Sequence, residues 1–161
     1  VGALGAGMMS TKDSIALIER VELDYLLIAG RLSLLDQSAC EELLPLCEAR
    51  GVSVIAGGVF NSGILARPDA SARYDYVPAP PELLARAQQI RSVCERHGVP
   101  LPAAALQFPL QFPAVACVIP GMRSVDEVDE NLRWFEHSIP EDLWEDLEAE
   151  ELIGLRQPTA S

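Results

Sequence analysis

Four short apolar runs, set apart by stretches with helical spacing, confine this chain to folds built on a parallel sheet. The runs are Val1–Gly5, Tyr25–Ala29, Val52–Ala56 and Val115–Ile119. Strands buried on both faces read as continuous apolar runs rather than alternating ones, and helices between them supply the crossovers that parallel pairing requires. The spacing predicts helices over Thr11–Val21, Gln37–Arg50, Pro81–His97 and Pro102–Gln111. Gly51 and Gly98 stand where two of these should stop, and Pro81 opens the third. Ser124, with Glu127 three residues on, forms a capping box that starts a helix to Glu136; Pro140 starts a last one through Glu151. Four strands of this kind suit either a small doubly wound domain or half of an eight-stranded barrel. A full barrel takes about 250 residues, roughly 31 per strand–helix unit. Periodicity leaves both open.

Length and charge narrow the partners. The 161 residues suit one domain, and the 49% hydrophobic, 22% charged composition is that of an ordinary soluble protein. No apolar window reaches the roughly 18 residues of a membrane span, and the apolar start has neither a basic flank nor a cleavage pattern, so a cytoplasmic location is expected. Twenty-four acids against 12 bases, a formal charge of −12, argue against nucleic acid. Phosphorylated cofactors stay open because they bind through local amides. Half of the acids fall between Asp126 and Glu151, a solvated helical face with Leu143, Leu147 and Leu152 at core spacing and Trp134 and Trp144 beneath it. Cys40, Cys47, Cys94 and Cys117 form no paired motif, and His97 and His137 lie at no zinc-like spacing, so buried reduced thiols and no metal are expected. The chain opens on Val1 without an initiator methionine, which suggests a fragment, a processed product or a truncated reading frame.

Three loops have the composition of ligand sites. Gly5-Ala-Gly7-Met-Met-Ser10 approximates a dinucleotide fingerprint, but Ser10 replaces the third glycine and Asp24 precedes the second strand rather than ending it. A glycine-rich strand end describes it better. Gly57-Gly-Val-Phe-Asn-Ser-Gly63 follows the third strand directly, where parallel sheets place their ligands. Its glycines either let amides face an anion or only permit a tight turn. Ile119-Pro-Gly-Met-Arg-Ser124 leads into the capped helix and is either a phosphate seat with Arg123 or a turn and a cap.

The runs Val115-Ala-Cys-Val-Ile-Pro-Gly-Met-Arg-Ser-Val-Asp-Glu-Val-Asp-Glu-Asn131 and Val52-Ser-Val-Ile-Ala-Gly-Gly-Val-Phe-Asn-Ser-Gly-Ile-Leu65 resemble the last two strand–loop segments of the aldo/keto reductases. Ala29-Gly-Arg31, Tyr74-Asp-Tyr76 and Trp134-Phe-Glu-His137 are similar to a subgroup that oxidises sugars and related alcohols, the L-fucose, D-threo-aldose and pyridoxal dehydrogenases. The resemblance implies an α/β fold: a (β/α)8 TIM barrel, of which residues 1–161 hold strands five to eight as one incomplete domain. It implies hydride transfer between NAD or NADP and a carbonyl, sugar or alcohol. The catalytic Asp, Tyr, Lys and His of the family lie on the first half, so no catalytic residue is expected here, and Tyr25, Tyr74, Tyr76 and Lys12 have no such role.

Cofactor contacts do carry over by resemblance. The loop Gly57, Gly58, Phe60, Asn61, Ser62 and Gly63 would wrap the pyrophosphate; Ile119, Pro120, Gly121 and Met122 would border the adenosine half; Glu130 and Asn131 match the adenine contacts. Glu127 would repel a 2′-phosphate and accept from ribose hydroxyls, which favours NAD, whereas Arg123 argues for NADP. Arg31 and Leu32 fall on the substrate side. Three departures stand out: Leu32 where a tyrosine usually stacks on the nicotinamide, Met9 for an asparagine, and Val59 for a proline. The alternative is a catalytically inactive half-barrel that binds a nucleotide or a protein, with two exposed sheet edges that a homodimer would cover.

Overall fold

The computed structural model describes residues 2–154; Val1, the start of the expected first strand, and residues 155–161 lie outside the described residues. In chain order the elements are β1 (Gly5–Met8), α1 (Thr11–Ile18), β2 (Tyr25–Ala29), α2 (Leu43–Arg50), β3 (Ser53–Gly57), a hairpin of β4 (Arg73–Tyr74) and β5 (Val77–Pro78), α3 (Pro81–Arg96), α4 (Leu101–Gln107), β6 (Val115–Ile119), α5 (Val125–Phe135) and α6 (Glu141–Ala149). One-turn 3-10 helices cover Asn61–Gly63 and Phe108–Gln111.

The four long strands form one parallel sheet in the order β1-β2-β3-β6. Neighbours in the sheet follow one another along the chain, so the sheet winds in one direction. A doubly wound sheet reverses its strand order at a switch point, and that alternative is thereby excluded. The helices cover the sheet, α1 against α2, α3 against α4 and α6, and α4 against α5. Beneath them, Leu26 and Ile28 of β2 and Val54 and Ala56 of β3 are buried with Phe108, Leu44 and Ile90. Trp144, Leu143 and Leu147 pack into this core, the Trp144 ring 6.2 Å from that of Phe108.

The first strand begins four residues later than expected and takes in Gly5 and Gly7, in line with their reading as a glycine-rich strand end. Asp24 explains the shift. Its carboxylate accepts from the Leu4 amide at 2.6 Å and its own amide donates to the Leu4 carbonyl at 2.8 Å, which pins the chain just ahead of the Gly5–Tyr25 pair. A Cβ on Gly5 would lie 2.1 Å from the Tyr25 ring, so only glycine lets that ring lie across β1. Gly5 and Gly7 are therefore strand residues, and Asp24 sits at the sheet end away from the loops that follow the strands.

Proline accounts for two further differences. Pro45 has no N–H to donate, so it suits only a first turn, and α2 begins at Leu43 instead of Gln37. Pro109 likewise turns the end of the expected Pro102–Gln111 helix into a 3-10 turn. Gly51 (φ 67°) and Gly98 (φ 68°) end their helices in the left-handed conformation, as expected.

Cys47 and Cys94 are buried, Cys40 is half-buried, and all four thiols are free. Burial pushes the Cys47 thiol up to about 11 and those of Cys40 and Cys94 up to about 12, which keeps them protonated and unreactive. Cys117 departs from the expectation of burial: it is exposed on β6, an edge strand. Tyr76 and Val77 are exposed on the hairpin, and several other exposed large apolar side chains lie near the sheet edges. Leu4, Met9 and Val21 flank β1, while Leu132 and Phe135 of α5 line a cleft against β6 and Val125 is exposed at the start of α5. Among the described residues no helix is long and apolar enough to cross a membrane, and no group of three metal-ligating side chains stands together.

Replacing Ile28 with alanine in the fully buried β2 should cost about 2–5 kcal/mol in urea unfolding. Val125→Ala, at a position 76% exposed, should stay within about 0.5 kcal/mol.

Candidate cofactor site

Register brings the two candidate loops together. Gly57 of β3 pairs with Ile119 of β6, so the chain leaves both strands at one level and on one end of the sheet. Gly58 turns with φ 63°, and a Cβ placed on it would lie 3.1 Å from the Gly30 amide nitrogen. Gly30 (φ 71°) follows β2 and donates its N–H to the Gly57 carbonyl at 2.9 Å. Two glycine backbones thus touch where β2 and β3 end, and no side chain fits between them.

Beyond Gly58 three residues in succession are left-handed: Asn61 (φ 44°), Ser62 (φ 58°) and Gly63 (φ 98°). Left-handed conformations at the two non-glycine positions cost energy and persist only when neighbours enforce them. Asn61 is held by its amide, which donates to the Gly58 carbonyl at 2.9 Å, and by Nδ2, which donates to the Gly30 carbonyl at 3.2 Å. Ser62 is held through Oγ, which accepts from the Tyr76 amide at 3.1 Å. The loop also leans on the next segment: Phe60 meets the Trp134 ring edge-on at 5.9 Å.

The β6 loop carries the expected cap in altered form. Ser124 Oγ accepts from the Glu127 amide at 3.2 Å, but the Glu127 carboxylate reaches past Ser124 to the Arg123 amide at 2.6 Å. The Arg123 guanidinium closes on the same carboxylate at 3.1 Å. Bonding first to that amide and then to the guanidinium holds the Glu127 carboxyl below its ordinary value. Arg123 and Glu127, which argued for opposite cofactors, therefore neutralise each other.

Asn131 of α5 is 7% exposed and its Oδ1 has no partner. It lines a cleft of about 310 Å³ with Pro120, Met122, Leu132 and Phe135. Glu130 is half-buried beside it, and Ile119, Gly121 and Met122 are exposed. A turn with no room for a Cβ at Gly58 and an orphaned buried acceptor at Asn131 in an apolar cleft are features that a dinucleotide site uses, so these residues fit the group.

Of the two substrate-side residues, the structure buries Leu32 and pairs Arg31 with protein groups. Leu32 is fully buried and presents no face to a ligand. After the left-handed turn at Gly30 the chain runs back over the core and buries residues 32–34. Arg31 is already occupied: Nε donates to the Met9 carbonyl at 3.0 Å, Nη1 to Asp36 at 2.8 Å and Nη2 to Asp75 at 3.1 Å. Its hydrogen bond to Asp36 above all raises the guanidinium pKa, against the effect of burial. Burial alone would push the Asp36 carboxyl up; hydrogen bonds from Ser38 and Arg31 outweigh it and hold that carboxyl below its ordinary value. The Tyr74 hydroxyl donates to the same Asp36 oxygen at 3.2 Å and is pushed up to about 12, first by burial and then by the Asp36 charge. It is no acid near neutrality. Sequence reasoning overlooked Asp36 and Asp75, because their partner Arg31 is 5 residues from one and 44 from the other and no periodicity links the three.

The profile of the Aldo/keto reductase family matches residues 6–151. The chain is 46% identical over 138 residues to pyridoxal 4-dehydrogenase of Microbacterium luteolum, covering 85% of this chain and 40% of that protein. To D-threo-aldose 1-dehydrogenase of a Pseudomonas species it is 39% identical over 155 residues, covering 95% and 47%. The fold matches a holo aldo-keto reductase from Bacillus halodurans with a TM-score of 0.66 at 20% identity, over 96% of this chain and 51% of that one. The chain spans about half the length of the relatives it matches.

Gly58→Ala should destabilise the chain by about 1–3 kcal/mol in urea unfolding, since the substitution adds a left-handed alanine against the Gly30 backbone. Gly121→Ala, with nothing within 4 Å of its Cβ, should change stability by less than about 0.5 kcal/mol.

Proposed function

We propose a function from the premise that this chain belongs to the aldo/keto reductase family: it is the cofactor-binding half of an NAD(P)-dependent oxidoreductase acting on a sugar, aldehyde or alcohol. The observation that carries this reading is the Gly57–Ile119 pairing, which opens the two candidate loops on one sheet end. In it, residues 1–161 are a single incomplete domain, the second half of a (β/α)8 barrel. Four parallel strands in chain order and the half-length match to relatives support that. The names of those relatives, pyridoxal 4-dehydrogenase and D-threo-aldose 1-dehydrogenase, support a small carbonyl or sugar substrate.

When bound, the nicotinamide supplies the hydride acceptor or donor. Gly57, Gly58 and Gly63 keep side chains away from a pyrophosphate, with Phe60, Asn61 and Ser62 forming the rest of its wrap. Ile119, Pro120, Gly121 and Met122 border the adenosine, and Asn131 offers its unpaired Oδ1 to an adenine amino group, next to Glu130. Glu127 accepts from ribose hydroxyls, and a 2′-phosphate would have to take Arg123 from it, so NAD is favoured over NADP. No residue of this chain is assigned to proton transfer, which falls to the other half of the barrel.

A second reading, a half-barrel without catalysis that associates with itself, is favoured by the apolar flanks of β1 and α5. Pairing β6 of one copy with β1 of another would close eight parallel strands.

Calorimetric titration of the folded chain with NAD and with NADP tests the first reading. Saturable binding with NAD tighter is expected, and Glu127→Ala should shift the preference towards NADP by about tenfold, the worth of one hydrogen bond to a charged group. A folded chain that takes up neither nucleotide ends this reading. Light scattering behind gel filtration tests the second: self-association predicts twice the 17.4 kDa chain mass, and a monomer at high concentration rejects it.

A further inference from the structure

A parallel sheet is normally covered on both faces, and this one is covered on one. Leu26, Ile28, Val54 and Ala56 turn towards the helices and are fully buried. The residues between them turn the other way. Register lines these up across the sheet, Gly7 beside Leu27, Leu27 beside Ile55 and Ile55 beside Cys117. Gly7 and Cys117 are exposed, and Leu27 and Ile55 are only half-buried. An apolar row thus lies bare across all four strands.

The same openness runs around β6. One edge of this strand has no neighbour, and on its helix side the cleft of about 310 Å³ separates it from α5. Leu132 and Phe135 line that cleft and are 54% and 49% exposed. They follow Asn131 along α5, away from Pro120 and Met122, so the loop end of the cleft stays with the nucleotide. Cleft, edge and bare row are three sides of one strand. A small ligand fills the cleft alone, and a helix cannot pair a strand edge. Another strand–helix unit satisfies all three at once. At the opposite margin β1 also lacks an outer neighbour, with Leu4 exposed beside it. The occupant therefore has to offer strands to both margins and side chains to the face between them, as the halves of a closed barrel do.

We infer that this chain binds a separate polypeptide, a first half-barrel of four strand–helix units, which docks on β6, α5 and the bare row and closes on β1. This rests on the half-barrel reading above and adds that no covalent link is needed. Two observations favour that partner over a second copy. The match to D-threo-aldose 1-dehydrogenase takes in 95% of this chain and 47% of that protein, which leaves a companion of about equal size. A second copy would instead bring a further charge of −12 to the seam. It would also add no proton-transfer group, so the proposed site would stay incomplete.

A cleavable barrel tests this. The stretch of D-threo-aldose 1-dehydrogenase that the match leaves uncovered is joined ahead of Val1 through a protease-sensitive linker, and the linker is then cut. Gel filtration with light scattering should show both pieces still in one particle at micromolar concentration. Iodoacetamide should alkylate Cys117 at least about tenfold more slowly in that particle than in the 161-residue chain alone. Leu132→Glu and Phe135→Glu change side chains that are half exposed in the separate chain, so its own fold should persist. Each should weaken the complex about thirtyfold, the scale of an interface hot spot. Val77→Glu, on the hairpin and 56% exposed, should leave it unchanged. Pieces that part after cutting, a joined chain that does not fold, a complex with Cys117 still reactive, or one indifferent to Phe135→Glu would each overturn the proposal. So would a pair of 161-residue chains that excludes the other half. An intact complex that takes up neither NAD nor NADP ends the cofactor reading and leaves the docking standing.

Discussion

The contact between the Gly30 and Gly58 backbones governs the loops at one end of the sheet. Adjacent parallel strands separate only if the chain can turn sharply at their ends, and here both turns are left-handed with no room for a Cβ between them. The Gly30 amide closes the gap by donating to Gly57, and its carbonyl receives the Asn61 side chain. Asn61 then sets the left-handed course of Ser62, and Ser62 receives the hairpin. Each link borrows its geometry from the one before. A side chain at Gly58 would displace the glycine loop, the hairpin and the Arg31 cluster together.

Charge at this end is balanced locally although the chain carries −12 overall. Arg31 is met by Asp36 and Asp75, and Arg123 by Glu127. Arg31 is held by two acids, whereas Arg123, whose side chain is 90% exposed, meets Glu127 alone in a surface pair. That separates two features which look alike in a sequence: a basic residue in a ligand loop, and a basic residue able to bind the ligand. Asp36 makes the same point from the acid side, since its half-buried carboxylate accepts from Arg31, Tyr74 and Ser38 and so holds these segments together.

Legibility followed the range of the interaction. The ends of α2 and α3 were readable because Gly51 and Gly98 act on the residues next to them. The cap of α5 was readable in part: Ser124 bonds the Glu127 amide as expected, but the carboxylate settles on Arg123, a choice made by the conformation of the incoming loop. The start of β1 was not readable, because it depends on Asp24 reaching back 20 residues to Leu4. The hairpin was unreadable for a related reason. Its turn residues, Asp75 and Tyr76, lack the usual glycine, and tertiary anchors hold them in place of intrinsic preference.

The amino-acid sequence by itself determined the four-strand parallel pattern, the glycines at the strand ends and the apolar runs that fill the core, because burial period and backbone freedom are properties of neighbouring residues. Only the tertiary structure decided that the sheet winds in one direction, that Leu32 is buried and that Arg31 serves the hairpin. Those outcomes depend on which surfaces remain once the strands have paired and on which acids lie within reach of a guanidinium. Chain-distant groups such as Met9, Asp36 and Asp75 meet only after the sheet has formed.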